Sequence, residues 1–223
     1  MIIAIDGPAA SGKSTVARSL AARLCAGYLD TGAMYRSVAA EALRRDVSLD
    51  DTTALVELAS SLTLRFEREG GSVLPTRVLA DGRDVTSEIR TPEVDSAVSP
   101  VSAVPGVRQA MVRIQRELGA VGDWVVEGRD IGTVVFPDAA IKVFLTASAE
   151  ERGRRREIDM RRQGLSMGAQ DVQQRIEARD EYDTTREASP LVAADDAVRL
   201  DTTGLSADDV VDRIAALVEA VRR

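Results

Sequence analysis

The segment Gly7-Pro-Ala-Ala-Ser-Gly12-Lys13-Ser14-Thr15 constrains this chain more than any other, because of what flanks it. Ahead of it, Ile2-Ile-Ala-Ile-Asp6 has the length and apolar character of a buried strand. Behind it, Ser14 to Leu24 reads as a helix. A strand that passes through such a loop into a helix places successive backbone N–H groups and a helix N-terminus at one sheet edge, where they attract phosphate oxygens. The pattern of Gly, four residues, then Gly-Lys-Ser therefore predicts a nucleoside triphosphate site. Gly7, Pro8, Ala9, Ala10, Ser11, Gly12, Lys13, Ser14 and Thr15 form the expected ATP-binding set. Lys13 is expected to reach the β- and γ-phosphates, and the Ser14 hydroxyl to ligate Mg²⁺. A glycine-rich turn matching by chance is the alternative, but it would not require the strand and helix on either side.

Further strand signals occur at Trp124–Glu127, Ala140–Leu145 and Val198–Asp201, separated by helical patterns. Strands alternating with helices predict a three-layer α/β fold around a parallel sheet. Two helix starts carry capping boxes, Ser148 to Glu151 and, with Asp in place of Glu, Ser206 to Asp209. From Ala207 to Arg222 the apolar residues Val210, Val211, Ile214, Leu217, Val218 and Val221 predict a covering helix with one buried stripe. One segment breaks the alternation. Leu62–Phe66, a turn at Gly70-Gly71, Val73–Ala80 and a turn at Asp81-Gly82 read as a small antiparallel insert. Inserts of this kind often carry substrate contacts, although an ornamental insert is also cheap. Cys25, at the apolar end of the first helix, reads as a packed core thiol.

Composition removes several chemistries. The chain has no histidine and one cysteine, so histidine-based catalysis, cysteine clusters and internal disulfides are excluded. It also lacks asparagine, which disfavours a guanine-reading Asn-Lys-x-Asp switch. Carboxylates, hydroxyls and arginine remain, and phosphoryl transfer needs little else. A net charge of −7 and few aromatic residues argue against a nucleic-acid surface. No apolar run is long enough to cross a bilayer and no secretory leader is visible, so a cytoplasmic location without membrane partners is expected.

The acceptor side must be sought in three places. Thr31 reads as the cap of a helix that carries Arg36, following a short connector after the first helix. Val125 to Gly128 reads as a buried strand delivering Arg129 and Asp130 to the edge where open α/β sheets place ligands. Arg179, Asp183 and Arg186 share one helix face by their spacing. Residues 150–164 hold Arg152, Arg154, Arg155, Arg156, Arg161 and Arg162. A solvated ion-paired face is the plain reading of that run. Beside a triphosphate site, an arginine lid is the sharper one.

At these residues the chain resembles the bacterial cytidylate kinases, a branch of the nucleoside monophosphate kinases. The matching stretches include Leu29–Arg36, Ser87-Glu-Ile-Arg90-Thr, Glu127 to Pro137, Arg179 to Asp183 and Ser189-Pro-Leu. The resemblance implies one kinase domain over residues 1–223, with a monophosphate-binding region at 30–95, its antiparallel insert at about 62–90 and a lid at 150–166. It implies transfer from ATP, with Mg²⁺, to CMP and dCMP by a monomer. Ser99, Arg108 and Asp130 fall where the family reads the cytosine edge, whose amino group suits a carboxylate and whose N3 and O2 suit donors. Arg36, Arg129 and Arg186 are implied as clamps on the monophosphate, and Asp183 with Arg179 as the ribose end, with Thr31 touching the acceptor. Lys13, Arg129 and Arg186 are the implied catalytic set. Glu127 stands where many relatives carry Asp. A P-loop kinase for another small acceptor, an NTP-dependent switch and a nucleic-acid-binding protein are the rival readings.

Overall fold

Alternation along the first strand sets the layers: Ile3 and Ile5 enter one core and Ala4 enters another on the opposite face. In this computed structural model residues 1–68, 72, 74–162, 164 and 168–222 are described, with backbone alone at 162 and 169. The first half of the chain runs β1 (Ile2–Asp6), α1 (Lys13–Leu24), β2 (Gly27–Asp30), α2 (Thr31–Arg44), α3 (Thr52–Ser61), β3 (Leu64–Glu67), β4 (Arg77–Ala80) and β5 (Arg83–Asp84). After a 3-10 turn at Glu88–Arg90 come α4 (Pro92–Ala103), α5 (Pro105–Leu118), β6 (Trp124–Gly128) and a π-helical turn at Ile131–Val135. The chain continues through β7 (Ile141–Thr146), α6 (Ala149–Arg162), α7 (Ala169–Thr185), β8 (Val198–Asp201) and α8 (Ala207–Arg222).

The central sheet has the order β2-β6-β1-β7-β8, and all its pairings are parallel. Helices α1 and α8 cover one face through Val16, Leu20, Val211, Ile214 and Val218. Helices α2 to α5 cover the other, burying Met34, Val38, Leu55 and Met111 among others. This is the three-layer α/β P-loop architecture expected from the motif. Because β1 is central, the loop after Asp6 opens at the sheet's C-terminal edge, beside the end of β6.

Four local expectations change. Gly27–Asp30 is a strand, not merely a connector, hydrogen-bonded in parallel to β6. Four residues are too few for alternation to announce it; pairing with β6 recruits it. Asp30, not Thr31, caps α2, its Oδ1 accepting the Ala33 N–H at 2.9 Å. Cys25 is exposed: it ends α1 in the left-handed region (φ 52°), which turns its side chain out of the helix's buried stripe. The stripe of α8 ends at Val218, and Val221 on the last turn is 55% exposed. Both capping boxes form their serine hydrogen bonds, and the one at Ser206 is reciprocal.

The insert is a three-stranded antiparallel sheet, β3-β4-β5, with Leu64 opposite Ala80 and Phe66 opposite Val78. Its second turn has Asp81 and Gly82 both at positive φ, as a tight hairpin requires. The turn read at Gly70-Gly71 lies outside the described residues, as does Val73 at the start of the expected second strand, which here begins at Arg77. Glu41 of α2 ties the insert down. Its carboxylate, 1% exposed, accepts from Arg44 on its own helix, from Arg45 just past that helix and from Arg83 on β5. Burial alone would raise its pKa; the hydrogen bonds of Arg44, Arg83 and Arg45 bring it to about 2.

Candidate active site

A cleft of about 800 Å³ runs from the loop after β1 across the ends of β2 and β6 to α4, α6 and α7. Ala9 to Val16 line one end of it, while Gly7 and Pro8 lie behind the wall. Gly7 is conformationally required: φ is 150°, and a Cβ there would collide with the carbonyl oxygen of Leu145. Lys13 Nζ donates to the Pro8 carbonyl at 2.6 Å and to Ser11 Oγ at 3.4 Å. Burial, with Arg129 adding to it, pushes the Lys13 ammonium pKa down. Ser14 Oγ donates to Glu127 Oε2 at 2.8 Å, and Tyr28 OH donates to Glu127 Oε1 at 2.5 Å. Burial, with Asp30 adding to it, pushes the Glu127 carboxyl up. The longer Glu side chain thus reaches the Ser14 hydroxyl from the end of β6.

These oxygens suit Mg²⁺, a hard cation that takes one or two protein oxygens and draws the rest from phosphate and water. Ser14 and Glu127 are the two groups placed for that. No denser cluster of three or more metal-ligating side chains exists among the described residues.

At the other end, Asp6 organises the loop that follows β6. Its two oxygens accept the N–H groups of Ile131 and Gly132, each at 2.8 Å, fixing the loop that carries Arg129 and Asp130. Burial lifts the Asp6 pKa to about 6 against those two hydrogen bonds. Asp130 Oδ2 meets Arg108 Nη2 at 2.5 Å, and Arg108 Nη1 donates to the Ser102 carbonyl at 3.0 Å. The Arg108 guanidinium also lies 5.1 Å from the Tyr35 ring centre. Ser99 does not line the cleft; half-buried on α4, it offers its carbonyl to Ser102 Oγ at 3.1 Å. Thr31 does line it, with Oγ1 donating to the Glu127 carbonyl at 2.7 Å.

The acceptor-side arginines divide into two groups. Arg129 Nε donates to Asp183 Oδ2 at 2.8 Å, and Arg186 Nη1 lies 3.4 Å from Asp183 Oδ1. Burial would raise the Asp183 carboxyl pKa, but Arg129, Arg179 and Arg186 together hold it below the ordinary range. Arg179 itself turns to Asp95, as do Arg36 and Arg156, at 3.2, 2.5 and 2.7 Å. Burial and the neighbouring Arg129 and Arg36 bring Arg179 down to about 10.

The arginine run on α6 serves both ends of the cleft. Arg155 donates to the Ser11 carbonyl and to Thr202, while Arg156 reaches Asp95. Arg152 pairs with Asp180, whose other oxygen accepts the Ala9 N–H at 2.9 Å. Arg154 and Arg155 share Glu151, while Arg156 turns to Asp95. Residues 163, 165 and 166 of the expected lid lie outside the described residues.

The structure thus brings Lys13, Ser14, Thr31, Arg36, Arg108, Arg129, Asp130, Arg179, Asp183 and Arg186 around one cleft. It adds Tyr35, Asp95 and Ser102 to the lining, with Asp6 and Asp180 holding the loops behind it. Asp95 looks in the sequence like an ordinary acid in the first turn of α4. Only its distant arginine partners mark it out.

Known proteins match this chain along nearly its whole length. It is 50% identical to the cytidylate kinase of Pelotomaculum thermopropionicum over 99% of this chain and 97% of that one. It is 51% identical, over 97% of itself, to a bifunctional pantoate ligase/cytidylate kinase of Synechococcus sp. (strain JA-2-3B'a(2-13)), and spans 40% of that protein's length. Among solved structures, an uncharacterized protein from Eubacterium ventriosum covers 98% of each chain with a TM-score of 0.53 and 13% identity, a likeness of fold alone. The cytidylate kinase family profile matches residues 3–220, and the chain belongs to that family.

Proposed function

We propose that this chain transfers the γ-phosphoryl group of ATP, bound with Mg²⁺, to CMP and dCMP, releasing ADP and CDP or dCDP. The observation that carries the reading is the Arg108–Asp130 pair, which sits buried in the same cleft as the phosphate-binding loop. Asp130 accepts from the cytosine amino group and Arg108 donates to the ring acceptors; uracil would turn O4 toward the carboxylate. Ser99, the hydroxyl donor that the resemblance implies at that edge, stands on the same helix as Ser102 but outside the cleft lining here, so Arg108 and Asp130 carry the base reading, and Asp183 receives the ribose hydroxyls. Residues 30–95, with the insert, hold the monophosphate, and residues 150–166 form the lid of a single kinase unit.

The nucleophile is an α-phosphate oxygen of the acceptor. It is anionic at neutral pH, so no general base is needed. Residues Gly7 to Thr15 bind the donor phosphates, with Lys13 at the transferred group. Arg129 and Arg186 neutralise charge as it develops there and, with Arg36, clamp the acceptor phosphate; Arg179, expected at the ribose end, turns to Asp95 beside Arg36 and so is read here as joining that clamp. Ser14 and Glu127 would hold Mg²⁺ directly or through its water; bound there, the ion screens charge on the donor phosphates. Arg155 and Arg156 on α6 span the two sites, and their closing over the phosphates would exclude water. ³¹P NMR of ATP, Mg²⁺ and CMP with the protein tests the reading: CDP and ADP resonances should grow together, whereas inorganic phosphate growing in their place would refute it.

A further inference from the structure

Asp95 is gripped by three guanidinium groups that come from three different helices, Arg36 on α2, Arg156 on α6 and Arg179 on α7. Nothing in the sequence predicts this, since Asp95 lies on a fourth helix and has no charged partner on it. One carboxylate is a poor match for that cluster. It supplies two oxygens and one negative charge to three cations, and the buried Arg179 Nε has no hydrogen-bond partner among the described residues. A phosphate monoester brings three terminal oxygens and close to two charges, the complement such a cluster recognises. The donor end repeats the arrangement: the Asp180 carboxylate takes the Ala9 N–H of the phosphate-binding loop, together with Arg152.

We propose that Asp95 is a built-in competitor for the acceptor's phosphate: its carboxylate holds the position among Arg36, Arg156 and Arg179 that the phosphate monoester takes on binding. This rests on the phosphate-acceptor reading above, but not on the identity of the base. Two anions sharing one arginine cluster repel each other, so the phosphate displaces the carboxylate rather than joining it. Displacement also breaks the ion pairs from α4 to Arg156 on α6 and to Arg179 on α7. Asp95 is thus a specificity-determining residue. Only a ligand carrying a phosphate can evict it, and a nucleoside of the same base cannot.

The test is calorimetric binding, without ATP, of CMP, cytidine and inorganic phosphate to the wild-type chain and to Asp95→Asn. Removing the competing charge should tighten CMP about fivefold and strengthen inorganic phosphate similarly, leaving cytidine unchanged. Weaker or unchanged CMP and phosphate binding would overturn the proposal and make Asp95 a scaffold for the arginines. Tighter phosphate binding with no CMP binding to either protein would leave this proposal standing and sink the cytosine reading. A crystal structure of the wild-type chain with CMP gives an answer that does not depend on the variant's folding. The Asp95 carboxylate should have left all three guanidinium groups; finding it still bound to Arg36 and Arg179 overturns the idea.

Discussion

Arg108 Nη2 lies 2.5 Å from Asp130 Oδ2, and the two side chains are only 4% and 5% exposed. Each is therefore the other's counter-charge before a base arrives. Removing one leaves the other buried and bare, which costs about 3–5 kcal/mol in comparable pairs. Asp130→Ala accordingly mixes a folding defect with a recognition defect, and Asp130→Asn is the cleaner probe. We expect Asp130→Asn to raise KM for CMP by about tenfold or more and to leave KM for ATP within about twofold, since one lost charged hydrogen bond is worth that much. Steady-state kinetics with each substrate varied in turn checks this. An equal loss on the ATP side would place Asp130 in the donor site.

Among the described residues, Lys13 is hydrogen-bonded by its own loop, through the Pro8 carbonyl and Ser11 Oγ. Lys13→Ala should lower kcat by about 10²–10³-fold or more with an unchanged melting temperature. A near-normal rate would remove the loop from the chemistry.

Ser14→Ala takes away one of the two oxygens facing the expected cation. Mg²⁺ titration at fixed ATP should show the half-activating concentration rising about tenfold, as loss of a supporting group does at other metal sites. An unchanged Mg²⁺ requirement would contradict the assignment of Ser14.

Glu41 gives a pH signature. Its pKa is depressed from 4.5 to about 2, so its contribution is complete above the unfolded value and fades as pH falls toward the folded one. That contribution is about 3 kcal/mol at neutral pH. Glu41→Gln should therefore melt well below wild type at pH 7, and the gap should close between pH 4.5 and 2. A gap that stays constant through that range would mean that packing, not charge, ties the insert to α2.

Much of the fold was legible because its signals are local. The glycine loop, the apolar strands at β1 and β7 and the helix α8 each carry their own signal, and the structure has their bounds within a residue or so, although the buried stripe of α8 stops at Val218. Where the reading failed, the deciding contact was one that no periodicity marks. β2 exists because β6 is beside it, and Asp30 outcompetes Thr31 as cap because its side chain reaches the Ala33 N–H. In the site, motif residues such as Asp130 and Arg179 were readable, whereas Asp6, Asp95 and Asp180 were not. Their partners lie between 28 and 171 positions away in sequence, so only the folded chain brings them together.

ADP release from ATP and Mg²⁺, measured separately with CMP, dCMP, UMP, AMP and GMP beside an acceptor-free control, tests the central claim most directly. Fast turnover confined to CMP and dCMP is the expected result. A rate that does not depend on the acceptor would mean hydrolysis or a nucleotide switch, and would contradict the assignment of the arginine-rich end of the cleft to a monophosphate.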